Sequence, residues 1–174
     1  LAFLFVEMAF IQKFILFLSN PLYSVAVVLS GFLLFAGLGS ASSERFAERV
    51  PWPGVSPVVV AVAAITALAL VYVMLLPVVF ARFIGLGDPA KIVLSLALIA
   101  PLAFFMGMPF PLGLKRLSAI APDFVPWAWG INGFASVVSA VLATLLAIEF
   151  GFTAVIVLAL FLYALAAWDG RSFR

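Results

Sequence analysis

The chain contains about six apolar runs of membrane-spanning length, and almost all of its charge lies in the short gaps between them. Hydrophobic residues make up 67% of the 174 residues and charged residues 9%, whereas soluble domains have about 45–50% and about 25%. Because so few charges cannot cover a surface in water, most of the surface must face lipid. Only helices or closed barrels pair all their backbone groups internally, and continuous rather than alternating runs predict helices.

The runs predict one all-α domain over residues 1–174, a polytopic bundle of transmembrane helices. Its expected spans are about 1–18, 22–41, 57–83, 90–112, 129–148 and 152–168. Six basic residues lie on the side of the termini and two on the other, which predicts that both termini are cytoplasmic, in a bacterial inner (plasma) membrane. The six are Arg45, Arg49, Lys115, Arg116, Arg171 and Arg174; the two are Arg82 and Lys91. The apolar start at Leu1, without Met, predicts the rear part of a longer polypeptide.

The composition excludes several kinds of chemistry within this chain. With no Cys and no His, it cannot build a disulfide framework, a typical zinc site, a haem site ligated by His or a His-based catalytic triad. The net charge of +2 and the scattered basic residues do not indicate nucleic-acid binding. We therefore predict no catalytic, cofactor-binding or metal-binding residue, and the lipid bilayer as the first partner.

Polar side chains inside the expected spans are the candidates for a functional site. Glu7, Gln12 and Lys13 lie within the first span, and Asn132 and Ser136 lie within the fifth. An ionisable residue at this depth favours either a buried polar contact that fixes helix packing or a proton or cation site. Lys13 is close enough to the end of its span to extend its ammonium outward, and a contact with Glu149 is a further hypothesis.

Small residues and interfacial residues complete the sequence pattern. Gly37 and Ala41 form a small-xxx-small pair, and Ser139 belongs to a ridge of small residues in the fifth span. The predicted packing positions are Gly31, Gly37, Gly133, Ser139 and Ala140. The predicted interfacial residues are Arg45, Arg49, Trp52, Lys115, Arg116, Trp127 and Trp129.

Two segments have a predicted local structure of their own. Residues 43–49 are expected to form a separate interfacial helix capped by Ser43. Residues 107–113, with two Pro and two Gly, are expected to form an irregular break.

Three stretches together resemble one family of membrane proteins. Residues 5–14 (FVEMAFIQKF), 107–113 (GMPFPLG) and 126–133 (PWAWGING) are similar to the rear membrane section of spermidine-synthase-like integral membrane proteins. The resemblance implies the membrane portion of such a protein. It implies an S-adenosylmethionine-type cofactor only if a soluble aminopropyltransferase or methyltransferase domain is attached, since no residue of that domain is recognisable here.

Three functions are compatible with the sequence. The first is a non-catalytic scaffold or accessory subunit that packs against other membrane subunits or carries an upstream cytoplasmic domain. The alternative is a transporter-type domain that handles a small cation or amine through Glu7 and the Asn132 face. The third is an enzyme that acts on a membrane-borne substrate through Glu7 and Lys115, although no recognised catalytic motif contains these two residues.

Overall fold

The structure, a computed structural model, describes residues 1–50 and 54–172, with side-chain positions up to residue 168. It is 92% helical and the described residues contain no strand, which confirms the all-α prediction. Trp52 lies outside the described residues. Within the described residues the α-helices are α1 (Ala2–Leu18), α2 (Pro21–Arg49), α3 (Pro57–Phe83), α4 (Asp88–Met106), α5 (Pro109–Ile120) and α6 (Val125–Ser172), with a 3-10 turn at Pro122–Phe124 before α6.

Four helical stretches of the described chain are long and apolar enough to cross a membrane. They are Pro21–Arg49, Pro57–Phe83, Asp88–Ile120 and Pro122–Trp168, and they fit an integral membrane protein. The helix α1 has 17 residues, at the lower limit of about 17 to 25 residues for a span.

The helix α2 is longer than the sequence predicts. It runs unbroken to Arg49, so residues 43–49 extend it instead of forming a separate interfacial helix. The reason is local: residues 42–49 contain neither Pro nor Gly, so nothing interrupts the hydrogen-bond ladder. Ser43 is accordingly a buried residue within α2 and not a cap.

The break predicted over residues 107–113 is shorter in the structure, because only residues 107 and 108 lie between α4 and α5. The chain leaves α4 at Gly107, whose N–H donates to the Ala103 carbonyl at 3.0 Å, and α5 begins two residues later at Pro109. Pro109 and Pro111 occupy the first turn of α5, where the N–H groups that proline lacks would have no partner within the helix. Proline is unfavourable inside a helix but is tolerated in the first turn, so these two prolines are compatible with the start of α5.

The break expected near residue 150 is present at a single residue. Gly151 has φ 79° and ψ 174°, a non-helical backbone that separates two helical segments of α6, residues 125–150 and 152–172. Positive φ of this kind favours glycine, because other residues meet steric strain there.

The first helix lies at the centre of the bundle. Nine of its 17 residues are buried, and it packs against α2, α4 and, most extensively, α6. The ring of Phe10 contacts Phe32 on α2, Tyr72 on α3 and Phe152 on α6, with centroid separations of 5.5, 6.0 and 6.1 Å. An aromatic cluster around α1 therefore joins helices that are distant in sequence.

Candidate functional site

Glu7 is enclosed in the interior of the bundle. Its side chain is 2% exposed, and its Oε1 atom is buried without a hydrogen-bond partner. Phe3 and Phe10 lie four residues before and three residues after it, on the same helix face. The rings of both contact Phe32, with centroids 5.9 and 5.5 Å apart. The carboxyl group therefore lies on the face of α1 that packs against α2 through aromatic rings.

The other polar side chains of α1 lie apart from Glu7. Gln12 and Lys13 are half-buried, and the Lys13 Nζ lies 5.4 Å from the centroid of the Phe152 ring, a cation–π contact with α6. No ion pair joins Lys13 to Glu149 among the described side chains, and Glu149 is exposed. Lys13 therefore contacts an aromatic ring where the sequence suggested a carboxylate.

The fifth-span candidates on α6 differ in exposure. Asn132 and Gly133 are exposed, whereas Ser139 is buried and Ala140 half-buried. The Ser136 hydroxyl donates to the Asn132 carbonyl at 2.8 Å, and the Ser139 hydroxyl donates to the carbonyl four residues before it. Both hydroxyls bond within α6, because the carbonyl one turn earlier is within reach of a helical serine. The structure thus places Glu7 inside the bundle and Asn132 on its surface.

A shallow groove crosses the exposed part of α6. It has a volume of about 370 Å³ and forms where Gly130, which lacks a side chain, leaves space between bulky neighbours. Its lining is Pro126, Trp127, Gly130, Ile131 and Phe134. No residue between 125 and 138 is fully buried, so this segment is the least covered part of α6.

The helices α2 and α4 approach each other closely at two glycines. A Cβ atom built on Gly39 would overlap the backbone carbonyl of Phe104, and one built on Gly107 would overlap that of Ala36. Gly31 lies on the same seam, with an added Cβ 3.1 Å from the Leu96 Cδ2 atom. Gly37 faces open space, and the tightest glycine positions are Gly39 and Gly107, neither of which is among the predicted packing positions.

The predicted interfacial residues lie near the ends of helices. Arg45 and Arg49 are exposed near the end of α2 and Arg116 is half-buried in α5. The Lys115 Nζ lies 2.8 Å from the Glu44 Oε1 atom, an ion pair between α5 and α2. Both partners are 65% exposed, so the pair contributes little to stability. Trp127 and Trp129 are exposed, and the Trp129 ring contacts Phe110 at 5.0 Å.

These features describe an all-helical protein with an aromatic core around α1 and a glycine seam between α2 and α4, and its long apolar helices fit an integral membrane protein. Within residues 1–50 and 54–168, no group of three or more His, Cys, Asp or Glu side chains could hold a metal ion. The chain matches no family model, no curated protein and no solved structure.

Proposed function

We propose that the chain is a non-catalytic membrane domain that serves as a scaffold or accessory subunit in a larger membrane assembly. In this proposal it corresponds to the membrane part of a spermidine-synthase-like protein. Its binding partner is another membrane subunit or an upstream cytoplasmic domain. An S-adenosylmethionine-type cofactor would bind only to an attached soluble domain.

The exposed segment of α6 carries this proposal. Gly130, Asn132 and Gly133 are exposed together, although a helix that faces only lipid gains nothing from glycine or from an amide at its surface. Glycines let a second backbone approach closely, and an amide hydrogen-bonds across a helix interface. Ile131 and Phe134 beside them are 64% and 73% exposed, which leaves a broad apolar surface for a partner helix.

Filling this surface is expected to release the partner. Gly133→Leu places a bulky side chain where a second helix would approach, while a Cβ at Gly133 meets nothing within 4 Å in the chain itself. We expect at least a tenfold loss of the partner that co-purifies in fixed stoichiometry, since each 1.4 kcal/mol of lost contact is about tenfold in affinity. Quantitative mass spectrometry of the membrane complex measures it.

The matched control is Gly37→Leu. Gly37 is also an exposed helical glycine with nothing within 4 Å of an added Cβ, but it lies on α2. It is expected to retain the partner. Equal co-purification in wild type and in the Gly133 variant would rule out the α6 surface as the contact.

The six-span topology with cytoplasmic termini belongs to the same proposal. A reversal at Gly151, where the helix is broken, would return the chain to the side on which it began. Because the chain has no native Cys, single cysteines report their side cleanly. With six spans, a membrane-impermeant thiol reagent added outside intact bacterial cells labels Glu149→Cys and leaves Ser118→Cys unlabelled. Labelling of Ser118→Cys from outside would contradict it.

Transport of a small cation or amine is the alternative function. It needs a continuous polar path that includes Glu7 and the Asn132 face. Glu7 is buried inside the bundle and Asn132 is exposed on its surface, so these positions give the scaffold more support. Loss of uptake in Glu7→Gln, with assembly intact, would favour the transporter.

A further inference from the structure

Glu7 is the one acidic side chain that the bundle encloses within the part of the chain described. Burial removes its hydration, and its Oε1 atom has no hydrogen-bond partner in exchange. An ionised carboxylate in such a place is heavily penalised unless a donor or a positive charge of the protein compensates it. A neutral carboxylic acid avoids most of this penalty.

A counter-ion for Glu7 is not provided by its own helix. Lys13 is six positions further on, so it projects from a different face of α1. Its ammonium group makes the cation–π contact with the Phe152 ring on α6. Phe3 and Phe10 share its face of α1 and contact the Phe32 ring of α2, and none of these three side chains offers a hydrogen-bond donor.

The helices that pack on α1 carry their charges far from Glu7. On α2 the charged side chains lie in residues 44–49, at its end. On α4 they are Asp88 and Lys91 in the first turn, and the Lys91 Nζ lies over Phe17, about 15 Å along α1 from Glu7. The described charge on α6 is the exposed Glu149.

Besides Glu7 and Lys91, the buried titratable groups of the described residues are two phenols. Tyr72 on α3 is 5% exposed, and its ring lies beside Phe10. Tyr163 on α6 is 6% exposed, and its hydroxyl oxygen also has no hydrogen-bond partner. Neither group carries a positive charge at neutral pH, so neither balances an ionised Glu7.

We propose that Glu7 is a proton-binding site within the bundle, whose carboxyl group holds its proton at neutral pH. A metal ion is a poorer occupant, because hard cations require several oxygen ligands and Glu7 belongs to no cluster of carboxylates among the described residues. When Glu7 releases its proton, water or a cation has to enter between α1 and α2. The site therefore links proton binding to the packing of α1, whether or not the chain acts as a scaffold.

Infrared spectroscopy of the full chain in lipid vesicles tests this directly. At neutral pH the wild type is expected to show the carbonyl stretch of one protonated carboxylic acid in an apolar setting. Glu7→Gln loses this band. Glu149→Gln, which replaces an exposed glutamate, keeps it. A wild-type spectrum at neutral pH without a protonated-acid band overturns the proposal, even if no variant can be purified.

Stability provides an independent readout. If the folded chain holds a proton that the unfolded chain releases, raising the pH favours unfolding. The unfolding equilibrium constant of the wild type is expected to rise by up to about tenfold per pH unit relative to Glu7→Gln between about pH 5 and pH 7. Glu7→Gln itself is expected to fold, because the amide replaces a neutral acid. Equal pH dependence in both proteins shows that Glu7 is ionised when folded.

Discussion

Replacing Gly39 by alanine is expected to lower the free energy of unfolding by about 3 kcal/mol or more. Overpacking usually lowers it by about 1–3 kcal/mol, and this site lies at the upper end because the obstacle is backbone. The new Cβ would overlap the Phe104 carbonyl oxygen and lie 2.7 Å from its carbonyl carbon. No side-chain rotation relieves that overlap, so α2 and α4 must separate. Reversible unfolding in mixed detergent micelles measures the change.

Gly37→Ala is the matched control, two residues away on the same helix. A Cβ at Gly37 meets nothing within 4 Å, and alanine is favoured over glycine within a helix by about 0.5–1 kcal/mol. The control is therefore expected to be neutral or slightly stabilising. Gly107→Ala is expected to resemble Gly39→Ala. Because both force apart the same two helices, the double variant should lose less than the sum of the two. Similar stabilities of Gly39→Ala and Gly37→Ala would show that the helices do not approach so closely.

Several helix boundaries could be predicted from the sequence because their signals are local. The predicted span at 57–83 coincides with α3, and the turn after α1 forms where Asn20 and Pro21 are placed. The Asn20 side chain accepts hydrogen bonds from the N–H groups of Leu22 and Tyr23 at 3.0 and 3.3 Å, capping α2. The Gly151 break was predictable for the same reason, since its signal is the residue type itself.

The buried faces could not be predicted, because lipid removes the contrast that marks them. In a water-soluble protein a helix is apolar on its inner face and polar outside, whereas here both faces of α2 are apolar. Judged by their small size alone, Gly37 and Gly39 were equally good candidates for a helix contact. Only the position of α4 shows that Gly39 makes the contact and Gly37 does not. The buried serines of α2, Ser24 and Ser43, indicate the inner face in retrospect. For α1, the polar residues within its span were the signal of a central position.

The largest effect in the aromatic core is expected for Phe10→Ala, which should lower the free energy of unfolding by about 3–5 kcal/mol. Phe10 is 1% exposed, and its ring contacts Phe32, Tyr72 and Phe152 on three other helices. Since lipid is as apolar as a phenyl ring, transfer out of water is not the source of this stability. The source is close packing, and its loss leaves a void between helices that cannot all move inward together.

Phe134→Ala is the control variant, because it removes a phenyl ring that does not pack in the core. Phe134 is 73% exposed on α6, so its removal opens no cavity within the chain and is expected to change stability by less than about 0.5 kcal/mol. Both variants are measured by the same unfolding assay in detergent. Phe10→Leu should fall between them, because leucine fills part of the void. If Phe10→Ala were no less stable than Phe134→Ala, the aromatic cluster would not be what holds α1 at the centre of the bundle.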